Sequence, residues 1–168
     1  MLTVVDMAGT YYLGLFCGFF SIKDVIRWVD NVIDKAESPI SNDLIELSLS
    51  ERQSTANVGS KLLRILQNEY TDKPMNIMLG LCYKKLALAP ENDDAILSYL
   101  YRLSQQSFLP SSDYINNSML LLSDEFYLAT EGIYGDIKIV VSETIGFLEQ
   151  FDVYADEFLE VVGSNTNE

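Results

Sequence analysis

Ile137-Lys-Ile-Val-Val-Ser-Glu-Thr-Ile-Gly-Phe-Leu-Glu-Gln-Phe-Asp-Val-Tyr-Ala-Asp-Glu-Phe-Leu-Glu-Val-Val162 carries the strongest periodic pattern of the chain. Its positions Ile137, Val141, Thr144, Leu148, Phe151, Ala155, Phe158 and Val162 advance by four and three in turn. That is a heptad-like stripe, and an apolar stripe at this repeat is one face of a helix. Ile137 to Val141 alone is β-branched enough for a strand, but the continuation argues for helix. The spacing predicts one long helix, or two in line with a break near Asp152. The stripe is expected to pack on the protein's own core, with a homodimeric coiled coil as the alternative.

Working back from this segment, helical spacing recurs along the whole chain. A helix is expected from about Asp113 to Glu131, closed by Gly132 and Gly135, since glycine readily ends helices. Others are expected from about Asp93 to Phe108, Pro74 to Ala89 and Ala56 to Tyr70. Ile45, Leu47 and Leu49 alternate, so the element from about Asp43 to Leu49 is open between strand and helix. Ser21 and Asp24 resemble a capping box, and Ile22, Val25, Ile26, Val29, Val32 and Ile33 follow at helical spacing. The four prolines, Pro39, Pro74, Pro90 and Pro110, stand where helices would start or stop. The architecture predicted is all-α, a single-domain helical bundle of about seven to eight helices over residues 1–163, with residues 164–168 a frayed polar tail.

With 168 residues, 48% of them apolar, the chain can bury one sizeable core and is no disordered acidic tail. Met7 to Ile22 is uncharged and aromatic-rich, yet short for a membrane span, and Asp6 stands where a signal peptide would carry base. It is expected to be a buried first helix of a cytoplasmic protein that meets no membrane. Cys17 and Cys82 are the only cysteines. They are expected to be small buried residues in a reducing compartment, a lone disulfide being the alternative.

The chain has no histidine. Ser-His-Asp and Cys-His catalysis are therefore ruled out, and the commonest nitrogen ligand for metals is missing. Gly9, Gly14 and Gly18 match no phosphate-loop fingerprint; at helical spacing they suit close helix packing. Glu91-Asn92-Asp93-Asp94 lacks the glycine and closing glutamate of a calcium loop and is better placed at a helix start. No catalytic, cofactor-binding or metal-ligating residue is assigned. Paired carboxylates could act on a sugar, but nothing singles out a pair. Tyr83-Lys-Lys-Leu-Ala-Leu-Ala-Pro90 resembles the end of a tetratricopeptide repeat, but no second copy lies about 34 residues away. A helix pair with a proline at its turn is expected there.

Charge is distributed unevenly. Residues 91–168 hold 15 acids against two bases, whereas residues 1–90 hold ten against nine. A soluble fold needs no such asymmetry, and clustered like charge opposes compaction. One explanation is a well-solvated surface; the other is a face for a strongly basic partner. Nucleic acid is excluded as a partner for such a surface, since phosphate recognition needs excess Lys and Arg. Glu149, Asp152, Asp156, Glu157 and Glu160 fall on one side of the last helix, opposite the apolar stripe. They are not interleaved with lysines, and Asp124, Glu125, Glu131, Asp136 and Glu143 lead into the same region. Tyr127, Tyr134 and Tyr154 are candidate aromatic anchors by location, each equally able to be a core ring.

Gly14-Leu-Phe-Cys-Gly-Phe-Phe-Ser-Ile-Lys-Asp-Val-Ile-Arg-Trp-Val-Asp-Asn-Val-Ile33, with Pro39-Ile-Ser-Asn-Asp-Leu-Ile-Glu-Leu-Ser-Leu-Ser50, resembles the opening of a family of small helical bacterial proteins. These are similar to the immunity proteins of contact-dependent growth inhibition and other polymorphic toxin systems. The resemblance covers about the first third of the chain. It rests on a glycine-containing first helix, a Ser-x-x-Asp-Val-Ile-x-Trp start to the second, and an Ile-x-Leu-Ser run after a proline-containing loop. The family often has Ala where this chain has Val29. No family binding residue carries over. The resemblance implies a cytoplasmic antitoxin, a monomer before toxin binding or else a homodimer. It would bind the basic toxin domain of a secreted effector, a nuclease and specifically an EndoU-like ribonuclease. A helical adaptor within a larger assembly is the alternative from another class, and a DNA mimic is a third.

Overall fold

The computed structural model describes residues 2–37, 39–67 and 69–163. Among them are nine α-helices and no strand: α1 Val4–Cys17, α2 Ile22–Asp34, α3 Asn42–Ser48, α4 Thr55–Ile65, α5 Lys73–Leu88, α6 Asp93–Gln105, α7 Asp113–Thr130, α8 Ile137–Glu149 and α9 Asp152–Gly163. The all-α expectation holds, and the element left open near Asp43 is the helix α3. The tail 164–168 lies outside the described residues.

Two helices are apolar nearly all round, which marks a helix for the interior. Eleven of the fourteen residues of α1 are buried, as are ten of the sixteen in α5. They pack on each other; α4 and α6 lie on α1, α8 and α9 lie on α5, and α7 bridges α6 and α8. The buried apolar residues form one contiguous core.

Local chemistry sets the boundaries. The first helix begins before Met7, because Thr3 and Asp6 close a capping box, and it stops before Ile22. Gly18 adopts φ 91°, and the Gly14 carbonyl accepts N–H groups from Gly18, Phe19 and Phe20. Gly18 is thus a helix cap rather than a packing site; Gly9 does give α5 its close approach, facing the Pro74 ring. Ser21 and Asp24 form the anticipated capping box of α2. Two other helices, α4 and α6, end earlier than their apolar pattern implied. The α4 ladder stops at Ile65, and Gln67 is left-handed at φ 47°, a conformation that ends a right-handed helix. Beyond α6, the buried Gln106 side chain turns back on the loop: Oε1 accepts from Leu109 N–H at 2.9 Å, and Nε2 donates to the Leu109 carbonyl at 2.9 Å. Beyond α5, a single 3-10 turn at Pro90–Asn92 leads into α6, giving the helix pair expected at that proline.

The last segment is two helices, broken at Gln150 and Phe151. Thr144, Leu148, Phe151, Ala155 and Phe158 are buried, so the middle of the stripe seals against the protein's own core; Ile137 at its start is exposed. Cys17 and Cys82 are both free and buried, and burial pushes the Cys17 thiol up to about 11.

Candidate partner-binding surface

Thirteen residues were expected to mark a binding face, and the structure places them in three settings. The first is the seam between α9 and α5. Gly80 lets the α9 backbone come close: a methyl group there would collide with the Phe151 carbonyl oxygen and lie 3.0 Å from Ala155 Cβ. Beside this contact, Lys84 Nζ lies 2.7 Å from a carboxylate oxygen of Asp152 and 2.7 Å from one of Asp156. Lys73 Nζ lies 3.4 Å from Glu157. These three acids do not form a solvent-facing row opposite the apolar stripe. They flank it and tie α9 to α5. Hydrogen bonds from Lys84 to Asp152 and then Asp156 hold its ammonium above the ordinary lysine range. Tyr154 is half-buried against the core, whereas Leu159 and Glu160 are exposed.

The second setting is a groove of about 430 Å³ between α6 and α7. Helix α6 supplies Asp94, Leu97, Ser98 and Tyr101; α7 supplies Ser123, Asp124, Phe126, Tyr127 and Thr130, and its C-cap supplies Glu131. Leu97 and Phe126 are buried and make an apolar floor. The Ser123 hydroxyl there is already engaged by the Leu97 and Met119 carbonyl oxygens. Tyr101 and Tyr127 stand on the two rims, 49% and 60% exposed. Among the described residues, no lysine or arginine lies within 4.0 Å of the carboxylates of Asp94, Asp124 or Glu131. Three expected residues, Asp124, Tyr127 and Glu131, meet here. Asp94, Ser98 and Tyr101 were not among them. Their signal was present: they step by four and three along the face of α6 opposite Ile96, Leu100 and Leu103.

The third setting continues from the groove around the α7–α8 turn. Glu125 is half-buried on α7. Tyr134 is 76% exposed in the turn, and Asp136 caps α8 by accepting the Lys138 N–H at 2.8 Å. Glu143 and Glu149 are exposed on α8.

Three of the cations that could have balanced these acids are engaged elsewhere. Arg102 donates to the Cys17 carbonyl at 3.0 Å, neutralising the negative end of α1. Lys85 lies over the rings of Phe19 and Tyr99. Arg64 pairs with Asp43 and Glu46. Among the described residues, no group of three or more His, Cys, Asp or Glu side chains is placed to hold a metal ion. None of the helices there is long and apolar enough to cross a membrane. No family model matches the chain, and no curated protein or solved structure matches it.

Proposed function

We propose that this chain is a non-enzymatic cytoplasmic inhibitor that binds a basic toxin domain through its acidic α6–α8 surface. The family that the N-terminal third resembles often faces nuclease toxins, and an EndoU-like ribonuclease is the toxin proposed here. Inhibition on this reading is occlusion: the acidic surface covers the phosphate-gripping cleft and denies entry to substrate. The observation that carries it is the separation of charge. Lys84 pairs with Asp152 and Asp156 and Lys73 with Glu157 on α9, while Asp94, Asp124, Glu131, Glu143 and Glu149 have no cation within 4.0 Å among the described residues. An uncompensated field of one sign speeds encounter with a partner of the opposite sign and penalises wrong partners. The direct test is purification together with the protein encoded immediately upstream, followed by a nuclease assay of that protein. A stable complex with suppressed cleavage is expected; a toxin that stays active and separate refutes the proposal.

The adaptor reading has one observation of its own. Tyr12, Leu15, Phe16, Leu63 and Phe108 line an apolar groove of about 350 Å³ between α1 and α4. The two readings differ in salt response: docking through acids weakens as ionic strength rises, and docking through this groove does not.

A further inference from the structure

We infer that the α6–α7 groove seats an arginine-bearing helix of the basic partner. This rests on the basic-partner reading above and adds the place and the recognition chemistry.

Each wall excludes some occupants. Three uncompensated carboxylates around the groove repel phosphates. Among the described residues, these carboxylates are not grouped so as to hold a bare metal ion. A neutral apolar segment would cover the floor but strip water from Asp124 and Glu131 without replacing it, and a carboxylate desolvated without a partner is costly. Arginine satisfies all three surfaces. Its stem covers Leu97 and Phe126, its planar face stacks on the exposed ring of Tyr101 or Tyr127, and its edge donates to carboxylates. Glu131 adds to this, since it stands at the C-terminal, negative end of α7, a helix with no base in its last turn.

Spacing decides the conformation of the occupant. Asp124 lies on α7 and Glu131 caps its C-terminus seven residues on, so the helical rise sets them about 10 Å apart along the axis. A helix with arginines at i and i+7 repeats that distance. An extended strand offers same-face side chains at about 7 and about 14 Å and misses it. Apolar residues at i+3 and i+4 of the occupant would then lie over the floor, in the manner of an amphipathic helix in a groove.

The probe is a fluorescein-labelled, alanine-rich helical peptide with arginine at i and i+7 and leucine at i+3 and i+4, titrated against the full chain by anisotropy, with amide shifts mapped by NMR. Shifts concentrated on α6 and α7 are expected. Asp124→Asn with Glu131→Gln should weaken binding about tenfold, since charge-assisted pairs are lost. Glu143→Gln with Glu149→Gln removes equal charge from α8 and should cost only about twofold through the longer-range field. Tyr127→Ala, or lysine in place of arginine in the peptide, should each weaken binding several-fold. Equal loss from the two double substitutions, or equal binding by a peptide with its arginines at i and i+5, overturns the groove and leaves the acidic surface standing. Binding that ignores salt and both double substitutions removes the basic-partner reading as well. Asp124 and Glu131 pair with no base among the described residues, so thermal melts of that variant should match wild type and separate lost binding from lost fold.

Discussion

Gly80 reverses the usual sign of a glycine-to-alanine change. In a helix interior that substitution normally stabilises by about 1 kcal/mol. Here the added methyl meets the backbone carbonyl of Phe151, which cannot swing aside as a flexible side chain could. Overpacking of this kind costs about 1–3 kcal/mol, so Gly80→Ala should lower stability in a denaturant titration despite better helix propensity. Phe158 tests the seating of α9 against a different neighbour, the aromatic cluster of α1 and the turn after it. Its ring is buried, with centroids 5.8 Å from Tyr11 and 5.9 Å from Phe20, and Phe158→Ala should destabilise by about 3–5 kcal/mol in the same titration. The burial of Phe158 was legible in the heptad spacing. The partners of Asp152 and Asp156 were not, because Lys84 lies far away in sequence and nothing local says which cation the fold will bring to them.

At the scale of elements, α9 is held to α5 by a close backbone contact and by the paired carboxylates on Lys84. Asp152→Asn with Asp156→Asn should therefore lower Tm by a few degrees, which a purely solvated acid row would not do. The pH dependence has a fixed sign. The Lys84 ammonium is held above its ordinary range by Asp152 and Asp156. Its contribution is fully present below the unfolded lysine value of about 10.4 and is lost as pH rises through the folded value. The Tm gap between wild type and Lys84→Met should stay constant from neutral pH to about pH 10 and close above it. A gap that opens with rising pH would refute the clamp. Taking the difference between the two proteins removes the loss they share when Tyr11, whose phenol burial pushes up, ionises. Helix existence was readable in every segment but α3, whose Ile45, Leu47 and Leu49 alternate; elsewhere 3.6-residue periodicity survives. Helix ends were not: Gln67 and Gln106 stop α4 and lock the chain after α6 by a left-handed backbone and a side-chain staple that apolar spacing does not encode.

Across the whole molecule, two lysines of α5 pair with three acids of α9, and most of the unpaired acid lies on α6, α7 and α8. Association with a basic partner should slow about tenfold or more between about 20 mM and about 500 mM salt, since the screening length contracts from tens of ångströms to a few. Dissociation should change about threefold or less, because buried contacts set residence time. Stopped-flow rates over that range decide it, and a flat association rate would reduce the acids to solvated surface. The excess of acid in the C-terminal half was plain from composition. Its division into a structural seam and an open groove depends on the tertiary placement of α5 against α9 and of α6 against α7, which no single-segment pattern contains.

Trp28 is the chain's one tryptophan, buried and stacked on Tyr11 with ring centroids 4.9 Å apart; Tyr11 in turn touches Phe158 of α9. The fold therefore carries its own optical gauge, a single indole whose emission follows the seating of α9. Undocking of that helix should shift and dim the signal while far-ultraviolet dichroism changes little. The α6–α7 groove lies on other helices, so its occupancy should leave the indole signal constant. One cuvette can then separate loosening of the scaffold from engagement of a partner.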